Sequence, residues 1–263
     1  MIYVELDKTF LVYNSGTSDG IQSKFFKDGY WYKTDLSGNE GEVEYLCSGV
    51  LQFSTLNTDE YVVYEQVKIN EKKGCRSKNF LEKDESFITF NRLHKNTTGV
   101  SLHKKIMEYS ELTEQITYVI DFIRLMCDID VTDYLRKIFT LDYIILNEDR
   151  HFNNLGIIMR EDGCYRTAPI FDNGKSLLNG NFSIKSDLPI SENVKRVVAR
   201  PFGGTHKKIF DFFGKGFDLD ISNAIEWVRS QRGSYTKDVL LYQLTMFEKE
   251  KVNDHEIRME TMF

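Results

Sequence analysis

The chain has 263 residues, 41% hydrophobic and 13% aromatic, enough apolar material for one large domain or two lobes sharing a cleft, which argues against a disordered chain. Its formal net charge of −6 and pI near 5.5 give no electrostatic case for nucleic acid or an anionic membrane. No apolar run approaches the roughly 20 residues that span a bilayer. Cys47, Cys75, Cys127 and Cys164 show neither CxxC pairing nor zinc spacing, and read as small buried hydrophobes or inert thiols. Met1-Ile2-Tyr3-Val4-Glu5-Leu6-Asp7 has no basic n-region and no continuous apolar h-region, so a cytoplasmic protein without a signal peptide is expected.

Only three prolines occur, so Gly, Asn and Asp punctuate the chain. Tyr3 to Tyr13 predicts a strand. A polar loop, Asn14 to Lys24, follows. Gly16 and Gly20 permit close approach there, and the backbone amides can form a concavity for anions. A solvated turn is the commoner explanation of such a loop. Phe25-Phe26 and Tyr30-Trp31-Tyr32-Lys33 flank Lys27-Asp28-Gly29, which predicts a hairpin. Its alternating aromatics fit a strand packed on a core rather than a base-stacking platform. Lys33, on a strand after such a loop, can meet phosphate oxygens as a point charge; alone it reads as a surface lysine.

Val43, Leu46, Val50 and Leu51 predict a helix over Glu42–Phe53. It carries Glu44 as the carboxylate partner for Lys33, with Glu42 as competitor. Tyr61 to Val67 reads as a strand. Cys75 to Arg92 resists assignment and is a candidate connection between lobes. From Glu111 onward helices dominate. One apolar stripe is Ile116, Val119, Ile120, Ile123 and Met126. The next is Val131, Leu135, Ile138, Leu141, Ile145 and Leu146, opening with Asp130 or Thr132 as cap.

This second helix runs into Asn147-Glu148-Asp149-Arg150-His151-Phe152-Asn153-Asn154. Leu155–Met159 and Thr167–Phe171 then read as two strands around the turn Arg160-Glu161-Asp162-Gly163. Such a hairpin is expected to bring Asn154 and Asp172 side by side. Either Asn/Asp-rich piece alone is usually a turn, because these side chains bond their own backbone. Together they hold what phosphotransfer needs. Asp149 can orient an attacking hydroxyl and take its proton, while Asn154 and Asp172 can hold Mg²⁺ against nucleotide phosphates through hard oxygen ligands.

Further helices are expected near His206–Phe213, Ile221–Ser230 and Asp238–Lys249. Lys195, Arg196, Arg200, Lys207 and Lys208 form a basic cluster, read as a solvated face or as a grip for an acidic or phosphorylated substrate. The expected fold is α+β and bilobal, protein-kinase-like, with a strand-rich N-lobe over 1–92 and a mainly helical C-lobe over 93–263.

The Asn147–Asn154 stretch resembles the N-x-D-x-H-x-x-N catalytic loop of HipA-like serine/threonine kinases. Ala168-Pro169-Ile170-Phe171-Asp172 resembles their A-P-x-x-D metal segment, and Gly20-Ile21-Gln22-Ser23-Lys24 their G-x-Q-x-K nucleotide loop. Val43-Glu44-Tyr45-Leu46-Cys47 looks like the start of the helix that carries the lysine partner. The resemblance implies ATP and Mg²⁺ as cofactors and transfer of the γ-phosphoryl group to a protein Ser or Thr. It implies Asp149 as base, Asn154 and Asp172 as metal ligands, Lys33 on phosphate, Glu44 as its anchor, Gly16, Gly20 and Gln22 in the nucleotide loop, and His151 as a structural member of the catalytic loop.

Here the nucleotide loop begins within the first two dozen residues. The expected form is therefore the compact, standalone one without the N-terminal subdomain of the longer toxins. Protein acceptors, the chain itself, and a regulatory or antitoxin partner are the expected partners, and delivery to a target cell fits the same family. Self-inhibition by phosphorylation at Ser15, Thr17, Ser18 or Ser23 follows the same analogy, since a phosphate adds about −1.5 to −2 charges where ATP must sit. The Asp149-Arg150-His151 run is also similar to lipid-kinase loops, which leaves a lipid or small-molecule phosphotransferase as the alternative. A pseudokinase that only binds partners is the other.

Overall fold

The computed structural model describes residues 2–12 and 23–260, with side chains as far as Lys249. The first part of the chain builds a five-stranded sheet from β1 (Ile2–Val4), β2 (Lys24–Lys27), β3 (Tyr30–Thr34), β4 (Tyr64–Ile69) and β5 (Lys72–Lys78), in the order β1-β4-β5-β3-β2. β1 runs parallel to β4, and the other pairs are antiparallel. The β2–β3 hairpin forms on Asp28-Gly29. Both residues have positive φ, +50° and +78°, the turn whose twist matches the flanking strands. The register sets Lys33 opposite Lys24 on one side and Cys75 on the other.

Three strand expectations need correction. The strand expected from Tyr3 ends at Val4, because Asp7 accepts from the Thr9 N–H (2.7 Å) and caps a 3-10 turn over Lys8–Phe10. Its far end, Tyr13, lies outside the described residues. The strand expected from Tyr61 begins at Tyr64. Residues 60–62 are occupied elsewhere: Val62 N donates to Ile170 O (2.9 Å) and Ile170 N to Glu60 O (2.8 Å). The strand expected at Thr167–Phe171 is β8 (Tyr165–Thr167), because after Ala168, whose N–H still donates to Gly156 O (3.1 Å), the chain leaves its neighbour to make that bridge.

The unassigned stretch Cys75–Arg92 holds the end of β5, an irregular connection, β6 (Ser86–Thr89) and the start of α2 (Phe90–Thr98). β5 is an interior strand, yet it reads as polar because its buried positions are Gly74, Cys75 and Ser77. Large residues do not fit there: a Cβ on Gly74 would lie 2.1 Å from the Lys33 carbonyl oxygen. Helix α1 (Glu40–Val50), predicted as Glu42–Phe53, packs on this strand through Gly41, whose added Cβ would lie 2.4 Å from the Gly74 carbonyl carbon.

The remaining elements are α3 (Leu102–Ile106), α4 (Leu112–Cys127), α5 (Thr132–Ile145), β7 (Gly156–Met159), α6 (Ile190–Asn193), α7 (His206–Phe213), α8 (Ile221–Ser230) and α9 (Tyr235–Glu260). Strands β6, β7 and β8 form a second sheet. Most of the predicted stripes face inward: Ile116, Val119 and Ile123 of α4, and Leu135, Ile138, Leu141 and Ile145 of α5, are buried, whereas Ile120 is half-buried and Met126, expected in the same stripe, is exposed because Phe122 and Cys127 take the inward positions. Val131 is the residue before α5, and Asp130 accepts from the Thr132 N–H (2.8 Å). The main core joins α1 to the helices, with Val43 and Leu46 among Leu135, Ile138, Ala224, Val228 and Leu240. Smaller clusters line the sheet, one of them Val62, Tyr64, Cys75 and Phe171. Among the described residues no helix is long and apolar enough to cross a membrane, and the four cysteines are free, with Cys164 exposed rather than buried.

Candidate active site

Lys33 lies on β3, inside the sheet, with its side chain 13% exposed. Its Nζ is 3.1 Å from Glu44 Oε1 and 2.8 Å from Asp172 Oδ1. The Glu42 alternative is thereby settled by helix geometry: Glu42 sits off this face and instead accepts from Ser234 Oγ and Thr236 Oγ1 at the start of α9. The second oxygen of Glu44 accepts from the Asn173 N–H (2.8 Å), so one carboxylate links β3, α1 and the segment after Phe171. The Tyr64 ring lies 5.4 Å from Lys33 Nζ, and its hydroxyl oxygen accepts from the Asp172 N–H (3.3 Å).

Electrostatics follow from that geometry. Burial would lower the Lys33 ammonium, but Asp172, Tyr64 and Glu44 outweigh it and hold its pKa well above the usual lysine value. Burial would raise the Asp172 carboxyl, but the charges of Lys33 and Lys24 hold it well below the usual carboxylate range. For Glu44, burial wins over Lys33, and the carboxyl is raised. Lys33 is therefore charged and Asp172 ionised at neutral pH. Asp172 also has φ +61°, a left-handed backbone rare outside Gly, Asn and Asp, which aims its carboxylate at Lys33.

The catalytic-loop candidate begins where α5 ends at Leu146, also left-handed (φ +55°). Asn147 Oδ1 accepts from the Asp149 N–H (2.9 Å), the His151 N–H donates to Asp149 O (2.9 Å), and the Asn154 N–H to His151 O (2.8 Å). The Asp149 carboxylate is 45% exposed, and among the described residues its loose neighbours are Arg200 Nη1 at 3.8 Å and the His151 ring Nε2 at 3.9 Å. His151 holds the loop through its main chain. Asn154 Nδ2 donates to Asp149 O (3.0 Å), which leaves its amide oxygen as the other end; that Oδ1 is buried and has no hydrogen-bond partner among the described residues.

Arg150 is the residue whose importance the sequence did not reveal. Fully buried, it donates to Asp142 through Nε (3.0 Å to Oδ2) and Nη2 (2.9 Å to Oδ1), to Phe171 O through Nη1 (2.6 Å), and to Asn173 Oδ1 through Nη2 (2.7 Å). It therefore fastens the Asp149 loop to the Asp172 segment. The available signal was the Asp142-to-Arg150 pair, a charge set among Leu141, Tyr143, Ile144 and Ile145 followed by a cation next to the base. His206 adds a second brace. Its ring donates Nε2–H to Asn147 O (2.7 Å), and burial lowers its pKa, favouring the neutral ring.

A divalent cation fits these residues. The unpartnered Asn154 Oδ1 and the ionised Asp172 are hard oxygen donors of the kind Mg²⁺ takes. No group of three or more His, Cys, Asp or Glu able to hold a metal occurs among the described residues, so phosphate oxygens would complete the coordination. Gly16, Gly20 and Gln22, and with them Ser15, Thr17 and Ser18, lie outside the described residues.

No family model matches this chain, and no curated protein does. Solved structures do. One is the crystal structure of CtkA, a proinflammatory kinase of Helicobacter pylori, with a TM-score of 0.58 and 15% sequence identity over 85% of this chain and 88% of that one. At this identity the likeness shows the fold: α+β and kinase-like, a strand-rich sheet against a helical part.

Proposed function

We propose that this chain is an Mg-ATP-dependent protein serine/threonine kinase of HipA-like type. The observation that carries the reading is Lys33 held between Glu44 and Asp172, with Arg150 tying the Asp149 loop to the same segment. Lys33 would meet the phosphates. Asn154 and Asp172 would hold Mg²⁺, which supplies neutralisation of charge on the transferring phosphoryl group. Asp149 would accept the proton of an acceptor hydroxyl as the new O–P bond forms and the bond to the ADP oxygen breaks. Its exposure and lack of tight partners suit that task.

The Asn147–Asn154 and Ala168–Asp172 motifs support the HipA-like assignment and a protein acceptor, the chain itself included. A division into lobes at 1–92 and 93–263, a regulatory or antitoxin partner, a toxin or effector role, and action in the cytoplasm where ATP is available belong to the same reading. Intact mass before and after incubation with ATP and Mg²⁺, with Asp149→Asn alongside, tests it. A phosphate gained by wild type alone is the expected result. Mapping it onto Ser15, Thr17, Ser18 or Ser23 would support self-inhibition. Detectable neither as transfer nor as ATP binding, the activity would have to be abandoned.

A further inference from the structure

From Asn193 to Phe210 the chain carries no Asp or Glu, yet it has five Lys and Arg residues in a protein whose net charge is −6. Lys195 pairs with Glu192 and Lys207 with Asp211. Arg196 forms no ion pair with any described residue. Between them the chain alternates: Val197, Ala199 and Pro201 are buried, while Arg196, Val198 and Arg200 face out. The segment is anchored to the loop that bears Asp149. Phe202 packs against Phe152 of that loop (ring centroids 5.8 Å) and Phe139 of α5 (5.7 Å), and His206 holds Asn147. Ala199 N–H donates to Gly204 O (3.1 Å) and closes the turn. The result is an outward strip of Arg196, Val198 and Arg200 beside the Asp149 carboxylate.

We infer that this strip is the acceptor rest, and that Arg200 selects an acceptor carrying an anionic group next to its hydroxyl. The inference rests on the kinase reading above and adds a substrate class to it. Arg200 Nη1 stands 3.8 Å from the Asp149 carboxylate, so the flank of an acceptor whose hydroxyl meets Asp149 lies within reach of the guanidinium. The pair is too long for a hydrogen bond and its arginine is 61% exposed, so a closer carboxylate or phosphate can replace it. The nucleotide side has its own cations, Lys33 and Lys24, acting on Asp172. Arg200 approaches from the other loop, which assigns it to the acceptor. The alternation also presents Val198 between the two arginines, an apolar seat for one side chain of an extended peptide.

The test is a set of Ser- and Thr-centred peptides that differ only in flanking Asp, phosphoserine or Lys, incubated with Mg-ATP and wild type, Arg200→Lys or Arg200→Glu. Wild type should label acid-flanked peptides about fivefold better than lysine-flanked ones, the scale of one exposed charge pair. Arg200→Lys should keep that order, and Arg200→Glu should reverse it. Each value is a ratio between peptides on one enzyme sample, so partial unfolding of a variant cancels. Better labelling of phosphoserine than Asp flanks would identify the anion as phosphate. Wild type without an acidic preference, or Arg200→Glu with an unchanged one, overturns the assignment of Arg200 while leaving the kinase reading standing. Labelling of phosphoinositide vesicles and of no peptide overturns both.

Discussion

Lys33 is the residue on which the site turns, because two carboxylates depend on it. Glu44 is 2% exposed and Asp172 is 22% exposed at the side chain, and both aim at the same ammonium. Replacing Lys33 by Met leaves buried Glu44 without its cation and Asp172 with the charges of Lys24 and Arg150 alone. Desolvation and mutual repulsion then raise both carboxyl pKa values, that of Glu44 above its unfolded one. The folded form would bind protons more readily than the unfolded one, so the loss is greatest at neutral pH and shrinks as pH falls. We expect about 3–5 kcal/mol at pH 7, the cost of unpairing a buried charge, and less near pH 5, read by urea unfolding at both values. An equal loss at both would show that the lysine acts through packing alone. In the intact protein the sign for Asp172 is opposite. Its depressed pKa contributes stability above the ordinary 3.8, lost only as pH falls below that value.

Helix α1 is the element that must be placed correctly, since it brings Glu44 to Lys33. Polar contacts at its N-terminal turn hold it. Glu40 accepts from Lys175 Nζ (3.1 Å), the Asn39 N–H donates to Asn179 Oδ1 (2.9 Å), and Glu42 binds the start of α9. Burial would raise the Glu40 carboxyl, but the amides at 36 and 37 and Lys175 bring it down to about 2, so it stays ionised as a clamp. Gly49 lies against the Trp227 ring, and Gly41 lies on Gly74, backbone against backbone. Gly41→Ala has no flexible neighbour to displace, so α1 itself must shift. It should cost about 1–3 kcal/mol in thermal or urea unfolding and lower phosphotransfer further than that loss explains. Gly233→Ala, with nothing within 4 Å of the added methyl, is the matched control and should change neither. Wild-type transfer in Gly41→Ala would show that the Lys33–Glu44 contact tolerates a moved helix.

At the scale of the whole molecule, the candidate metal ligands come from two loops, and the lysine from the sheet. Mg-ATP should therefore stabilise the two parts together. At a hundredfold excess over its dissociation constant the gain is about 2.7 kcal/mol, which for a chain of this size raises the thermal midpoint by roughly 5 °C. Asp172→Asn should lose the part of that shift that depends on Mg²⁺. A shift identical with and without Mg²⁺ in wild type would remove Asn154 and Asp172 as cation ligands. Arg150 makes this coupling mechanical, since its guanidinium spans Asp142, Phe171 and Asn173.

Local chemistry was readable in the chain itself. The Asp28-Gly29 hairpin, the stripes of α4 and α5, and the bounds of α7 and α8 follow from turn preferences and a 3.6-residue period, which neighbouring residues set. Lys33 with Glu44, and Asp149 with Asn154, were visible as candidates for the same reason, as side-chain chemistry at short spacing. Tertiary structure alone decided what depends on packing between distant segments. β5 is an interior strand because Gly74 fits against Lys33 and Gly41, a fact about room rather than hydrophobic pattern. Glu44 rather than Glu42 meets Lys33 because α1 docks with that face inward. Arg150 is buried because three partners from two separate segments, Asp142 in one and Phe171 and Asn173 in the other, satisfy its donors, and Arg200 reaches Asp149 because Phe202 and His206 pin its segment to the catalytic loop. Each is a contact across many residues of sequence, where local propensity carries no information and only close packing and the pairing of buried polar groups choose the outcome.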